Sequence, residues 1–356
     1  MAESSRIAPP ESDAGSGRVA DSSPDKDSQI EAGATVRPFV PARLLRSGNR
    51  QTIFGSLFPA RPSITGTTIR QILMEDDDSL ILHDDCPPGW RPGGHTAILM
   101  HGLSGCHQSG YMVRCASKLL QRGVRTFRLD HRGCGAGETR ARYPYHAGRT
   151  DDVAAIVNSV EKICPDSPIS LVGFSLSGNL LLRYLGQHPE SLPLCLFRAV
   201  AVCPPVDLQQ CTDYMSQSSA GQRYDWYFTR RLIAQVVNSP MWRDTLPLAG
   251  VQHAPRRLFE FDELFTAPAS GFDSAHHYYS EASSRDHLHR IRVHTSILAS
   301  SDDPVVDPRP LQSVRLPENV QLSLSRHGGH LGFIGRSGVD PDRRWMDWRV
   351  VEWLLD

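Results

Sequence analysis

From residue 95 onward the chain repeats one pattern: a short apolar run, a loop, a helical pattern, then another apolar run. Residues 95–100 (HTAILM), 124–129, 169–174 (ISLVGF), 199–203, 295–299 and 320–324 read as strands. Residues 111–121, 151–163 and 178–186 carry apolar side chains at helical spacing, and 343–355 closes the chain as a Trp-rich helix. Upstream, 67–74 and 79–83 read as a β-hairpin around the polar cluster 75–78. Strands that alternate with helices form a mainly parallel sheet covered on both faces, so the expected class is α/β. Ligands of such sheets bind beyond the carboxyl ends of the strands. The strand-end loops are therefore where chemistry is expected.

The 356 residues fit one large α/β domain with an insertion. Residues 1–36 are rich in Ser, Asp, Gly, Pro and Glu and lack apolar periodicity, which predicts a disordered polar tail. Residues 37–356 make up the domain. A stretch at about 207–290 breaks the alternation. It holds an amphipathic helix at 224–237 and an aromatic-rich region, and it is expected to cap the strand ends. Trp226, Tyr227, Phe228, Leu232 and Ile233 are its candidates for lining a substrate site.

Bulk properties exclude several function classes. A formal net charge of -1 gives no overall pull toward nucleic acid or acidic membranes. No run approaches the roughly 18 apolar residues that span a bilayer. The first residues lack the apolar core of a signal peptide, so a cytoplasmic location is expected. None of the eight cysteines pairs as CxxC, and several sit in apolar runs, which suits reduced core thiols. The fifteen histidines show no metal-ligand spacing, so no metal is expected.

The residues 173–177 (GFSLS) join a strand to a helix. A chain that reverses from strand to helix in one residue forces that residue into a strained conformation and exposes its side chain, which makes Ser175 the candidate nucleophile. Small residues two positions away on each side avoid a clash. Gly173 meets this need, and Ser177 stands where Gly is usual. A serine needs a base, and a histidine after the last strand supplies it. His330 follows two glycines that allow a tight loop, and His327 is the runner-up. The carboxylate that orients the imidazole should follow the preceding strand. Asp303, before Pro304, is the choice, with Asp302 left open. An oxyanion needs backbone donors. Leu176, after the nucleophile, is one, and Leu103 in the loop HGLSG at 101–105 is the other.

These stretches resemble the YheT-like α/β hydrolases, relatives of membrane-anchored eukaryotic lipases and phospholipases. The resemblance is carried by 39–52 (FVPARLLRSGNRQT), HGLSG, 130–137 (DHRGCGAG), 145–148 (YHAG) with Asp151, and GFSLSGN at 173–179. It continues through 259–283 (FEFDELFTAPASGFDSAHHYYSEAS), SSDDPVV at 300–306 and GGHLGF at 328–333. It implies an α/β-hydrolase fold and a triad of Ser175, Asp303 and His330. It also implies hydrolysis of carboxylic esters, including acylglycerol or other lipid esters, with no cofactor. Ser177 and Cys106 depart from the family's usual Gly and Ser. The membrane anchor of the eukaryotic branch is replaced by the polar tail, which leaves transient contact with a membrane surface open. Two other readings fit the residues: an acyltransferase using the same triad, and a non-catalytic binding protein on this fold. The oligomeric state is not legible.

Overall fold

A computed structural model describes residues 37–60, 62–243 and 254–356. The expected disordered tail at 1–36 lies outside the described residues. Among them, eight strands form one sheet: β1 (Thr68–Leu73), β2 (Ser79–Asp85), β3 (Thr96–Met100), β4 (Arg125–Asp130), β5 (Ile169–Phe174), β6 (Leu196–Val202), β7 (His294–Ser300) and β8 (Val320–Ser325). Their order is β1-β2-β4-β3-β5-β6-β7-β8. The pairs β1–β2 and β2–β4 are antiparallel, and every later pairing is parallel. The α/β class and the strands expected from the apolar runs are all present.

The helices that cross between parallel strands cover both faces. α1 (Gly48–Leu57) precedes β1, and the crossing helices include α2 (Gly110–Leu120), α3 (Thr150–Ile163) and α4 (Leu176–Gln187). Side chains alternate across a strand, and the core divides accordingly. Ile98, Met100, Leu171, Ala199 and Ile297 pack on the side of α3 and α4. Ala97, Leu99, Val172, Val200 and Leu298 pack on the side of α2 and the last helix.

Between β6 and β7 the chain forms α5 (Leu208–Ser216), α6 (Ser219–Asn238), α7 (Leu258–Phe261), one wide turn (Asp262–Thr266), α8 (Ala267–Ala269) and α9 (Ala275–Ala282). These build their own apolar clusters around Leu232, Phe261 and Phe265, and around Tyr278 and Ala282. Two further helices, α10 (Arg309–Ser313) and α11 (Trp345–Leu355), complete the fold.

The loop after β4 is fixed by a buried cation. The Arg132 Nε donates to both carboxylate oxygens of Asp152 at 3.1 and 2.9 Å, and Nη1 donates to Asp76 and Asp78 at 2.7 Å each. The loop 131–137 is thereby clamped to the β1–β2 turn and the first turn of α3. Removing one partner of a buried ion network leaves the others uncompensated. Arg132→Met is expected to lower unfolding stability by about 3–5 kcal/mol in urea titration. A loss under about 1 kcal/mol would show that the clamp is not structural.

Candidate active site

Strand β5 ends at Phe174 and α4 begins at Leu176, leaving Ser175 alone at the junction. Its backbone sits at φ 52°, ψ −120°. A side-chain-bearing residue held there carries strain of about 1–3 kcal/mol, which the surroundings must over-determine. They do so by close approach. A Cβ on Gly173 would lie 2.3 Å from the Ser177 carbonyl oxygen, and one on Gly178 would lie 3.0 Å from Pro204 Cβ. The Ser175 N–H donates to Val202 O at 2.8 Å, and Gly178 N–H donates to Ser175 O at 2.7 Å.

The loops after β7 and β8 bring the other two side chains to Ser175. His330 Nε2 lies 2.9 Å from Ser175 Oγ, and His330 Nδ1 lies 2.8 Å from Asp303 Oδ2. Both His330 and Asp303 are buried. A proton on Nδ1 donates to Asp303, which leaves Nε2 to accept from the serine hydroxyl. The other Asp303 oxygen accepts the N–H groups of Val305 and Val306 at 2.8 and 2.9 Å, so the carboxylate cannot swing.

The two runners-up fall elsewhere. Asp302 Oδ1 accepts the Gly329 N–H at 2.9 Å, and its Oδ2 lies 3.4 Å from His327 Nδ1. Asp302 thus shapes the histidine loop from below, while Asp303 meets His330. A residue without an expected role completes the arrangement: Thr52 Oγ1, on α1, accepts the His330 N–H at 2.8 Å. The 39–52 stretch had signalled itself only through resemblance, because this contact joins residues 278 positions apart.

Leu103 and Leu176 line the same cleft as Ser175. Among the described residues neither backbone N–H donates to a protein acceptor. The loop carrying Leu103 is tied down by tyrosines at its neighbours: Gly102 N–H donates to Tyr111 OH at 3.0 Å, and Ser104 N–H to Tyr145 OH at 2.8 Å. Gly102 packs closely against the elbow, since a Cβ there would approach Ser175 Cβ to 3.0 Å and Phe174 O to 3.1 Å.

Ser177 has a definite place. Its hydroxyl donates to the His101 carbonyl and accepts from His131 Nε2 at 2.8 Å. Glycine could make neither bond. The first turn of α4 is thereby joined to the loops after β3 and β4. Burial holds the His101 and His131 imidazoles below their ordinary pKa, and for His131 the neighbouring His101 adds to the effect. Both are neutral hydrogen-bonding groups.

A cleft enclosing about 880 Å³, counted to its open mouth, lies over Ser175, Leu176 and Leu103. Its walls come largely from the segment between β6 and β7, including Phe228, Leu232, Leu258, Phe261 and Phe265. Of the aromatic and aliphatic candidates on α6, Phe228 and Leu232 line it. Trp226 and Tyr227 do not: they are 55% and 46% exposed and face outward. Ile233 packs in the cap cluster instead of on the cleft wall. A helix turns about 100° per residue, so the three consecutive residues Trp226, Tyr227 and Phe228 cannot share one face.

One carboxyl interrupts the apolar wall. Asp262, in the wide turn, accepts from Tyr279 OH at 2.6 Å. Burial pushes its pKa up to about 6, against the opposing effect of its Thr266 and Tyr279 hydrogen bonds.

Two measurements follow from these contacts. Ser177→Ala strands the His131 Nε2–H and the His101 carbonyl, and is expected to lose about 1–3 kcal/mol of unfolding stability. A variant as stable as the parent would remove Ser177 from the network. Asp262 holds its proton in the folded state between about pH 4 and 6, where the unfolded chain has released it. Its contribution to stability therefore falls as pH rises through that window. The stability gap between the parent and Asp262→Asn should change across it by up to about 3 kcal/mol, in the direction that favours Asn at the higher pH. A pH-independent gap would contradict the shift.

Comparison with known proteins agrees with this architecture. Residues 98–337 match the family described as alpha/beta hydrolase fold. "Putative esterase YheT" of Escherichia coli (strain K12) is 30% identical over 322 residues, covering 89% of this chain and 92% of that protein. The "Monoacylglycerol lipase" of Saccharomyces cerevisiae (strain ATCC 204508 / S288c) is 27% identical over 316 residues, covering 84% of this chain and 66% of that protein. In three dimensions the Pyrococcus furiosus esterase Pf2001 superposes with a TM-score of 0.52 at 19% identity, covering 81% of this chain and 91% of that one. The chain belongs to the α/β-hydrolase family, in the YheT-like group.

Proposed function

We propose that the protein is a serine hydrolase that cleaves carboxylic esters through an acyl-enzyme on Ser175. The observation that carries this reading is the continuous hydrogen-bond path from Ser175 Oγ through His330 to Asp303, at 2.9 and 2.8 Å, opening into an apolar cleft. The names of the relatives, an esterase and a monoacylglycerol lipase, support the same class of reaction.

The chemistry follows from the geometry. Ser175 Oγ attacks the ester carbonyl while His330 Nε2 takes its proton, and the imidazolium is stabilised by Asp303. Negative charge then develops on the carbonyl oxygen, and the N–H groups of Leu103 and Leu176 donate hydrogen bonds to it. His330 returns the proton to the departing alcohol. Water enters, gives a proton to His330 and attacks the acyl carbon; His330 passes that proton to Ser175 Oγ as the Oγ–acyl bond breaks, which releases the acid and restores the serine. The cleft wall of Phe228, Leu232, Phe261 and Phe265 suits an aliphatic acyl chain over a charged one. This favours short- to medium-chain esters and acylglycerol-type lipid esters as substrates.

Ser175→Ala is expected to lose at least about 100-fold in turnover of p-nitrophenyl and monoacylglycerol esters of graded length, and to escape labelling by a fluorophosphonate probe. Asp303→Asn should fall by a comparable factor, and Asp302→Asn by much less. Unchanged turnover in Ser175→Ala would sink the assignment. Equal losses at Asp302 and Asp303 would remove the distinction between the two acids.

A further inference from the structure

The outward Trp226 and Tyr227 belong to a larger feature that the net charge conceals. Residues 37–60 contain no Asp or Glu, and within α6 the sole carboxylate is Asp225. Asp225 is buried and accepts the Leu258 N–H at 2.6 Å. The same two segments expose seven arginines: Arg37, which lies 3.8 Å from Asp340, with Arg43, Arg46 and Arg50 around α1, and Arg223, Arg230 and Arg231 on α6. Among the described residues none of the other six pairs with a carboxylate. Interleaved with them are exposed apolar side chains: Ile53 and Leu57 on α1, 50% and 68% exposed, and Trp226 and Tyr227 on α6.

The two faces adjoin. Tyr224 OH lies 3.1 Å from Asn49 Oδ1, which joins α6 to the first turn of α1. Arg50 is the residue after Asn49, and Arg223 is the residue before Tyr224. Tyr227 and Ile53 each stand one helical turn further along. The contact thus sets the first turn of α1 beside the part of α6 that carries Arg223 and Tyr227.

We propose that the outer faces of α1 and α6 form one docking surface for an anionic phospholipid bilayer. Other kinds of occupant meet half of its requirements. An acidic protein surface would pair the arginines and leave the aliphatic and indole groups unserved. An apolar protein face would bury unpaired guanidinium groups, which is costly. A bilayer supplies anionic headgroups at one level and hydrocarbon about 5–10 Å deeper, the depth at which interfacial helices rest their apolar side chains. Trp and Tyr suit the boundary between those layers. The inner side of α6 carries Phe228 and Leu232 on the cleft wall, and α1 carries Thr52 under His330. Docking would therefore set the cleft beside the lipid. The surface does not depend on the ester reading, because binding is measured without turnover.

The test is co-sedimentation of the full chain with vesicles of phosphatidylcholine alone and of phosphatidylcholine containing phosphatidylglycerol. Binding is expected to the second kind only, and to weaken as salt screens the headgroups. Arg46→Glu combined with Arg50→Glu should cut partitioning by at least about tenfold, since each basic residue at such a surface contributes about fivefold. Arg46→Lys with Arg50→Lys should retain binding, and thermal unfolding checks that both variants are folded. Trp226→Ala should lose the vesicle-induced blue shift of tryptophan emission. Ser175→Ala should bind like the parent, so failure of docking and failure of the hydrolase reading are distinguishable. Equal partitioning to both vesicles, no partitioning at low salt, or indifference to charge reversal would each overturn the proposal. So would a change of sedimenting mass on charge reversal in a parent that ignores vesicles, which would assign the face to contact between copies.

Discussion

Strand β5 runs into α4 with a single residue between them, and the strain at that residue must be held from outside. Ser175 adopts φ 52° because the Gly173 position leaves room for the Ser177 carbonyl, which would otherwise stand 2.3 Å from a side-chain carbon. The neighbouring strand β6 contributes the acceptor Val202 O, and the loop after it contributes Pro204 against Gly178. The sheet order places β6 directly beside β5. The elbow is thus a product of the whole parallel sheet and not of five residues alone. Everything proposed to act on an ester is referred to this point.

The partners of Ser175 are held by the same logic of over-determination. His330 approaches through a loop whose glycines take φ 149° and 57° at 328 and 329, and which is bounded by Asp302 on one side and Thr52 on the other. Asp303 spends one oxygen on two backbone amides and the other on the imidazole. Neither side chain has a second low-energy orientation that keeps its hydrogen bonds. Buried polar groups that are fully satisfied in one geometry specify that geometry, because any departure leaves a group unpaired. The Ser177 hydroxyl extends this to the donor side. It links α4, which begins at Leu176, to His101, two residues before Leu103. A residue that looks like a defect in the elbow motif is a tie between the two proposed oxyanion donors.

The parts of this arrangement legible in the sequence are those governed by local order. The strands were visible as apolar runs, and Ser175, Asp303 and His330 stood after β5, β7 and β8, where an α/β sheet places its chemistry. The place of Asp303 before Pro304 favoured it, but Asp302 stayed open, since adjacent residues in one turn differ chiefly in which way they point. Thr52, Tyr111 and Tyr145 received no role from the sequence because their roles rest on contacts across the fold. The two tyrosines act through hydroxyls on the backbone amides of Gly102 and Ser104, and such a bond has no sequence spacing. The net charge is silent about where the charges lie. A sum over 356 residues gives -1, and that sum cannot show that 37–60 and α6 together expose arginine without exposed acid.

Helix phase connects the cleft to the outer surface. Asp225, Thr229, Leu232 and Val236 recur at the helical period and are buried, so the face they define fixes the direction of every other α6 side chain. Phe228 and Leu232 fall toward the cleft, and Arg223, Trp226, Tyr227 and Arg230 must then fall away from it. Rotation of α6 by one residue would carry aromatics into the cleft and Leu232 into solvent. Two fixed points prevent it: the Asp225 carboxylate on the Leu258 amide, and the Gln235 amide on the Gly133 carbonyl at 2.6 Å. The second of these is anchored in turn by the loop that Arg132 clamps. The composition of the cleft wall and the composition of the exposed face are consequently one structural decision, made by buried polar contacts at a distance from both.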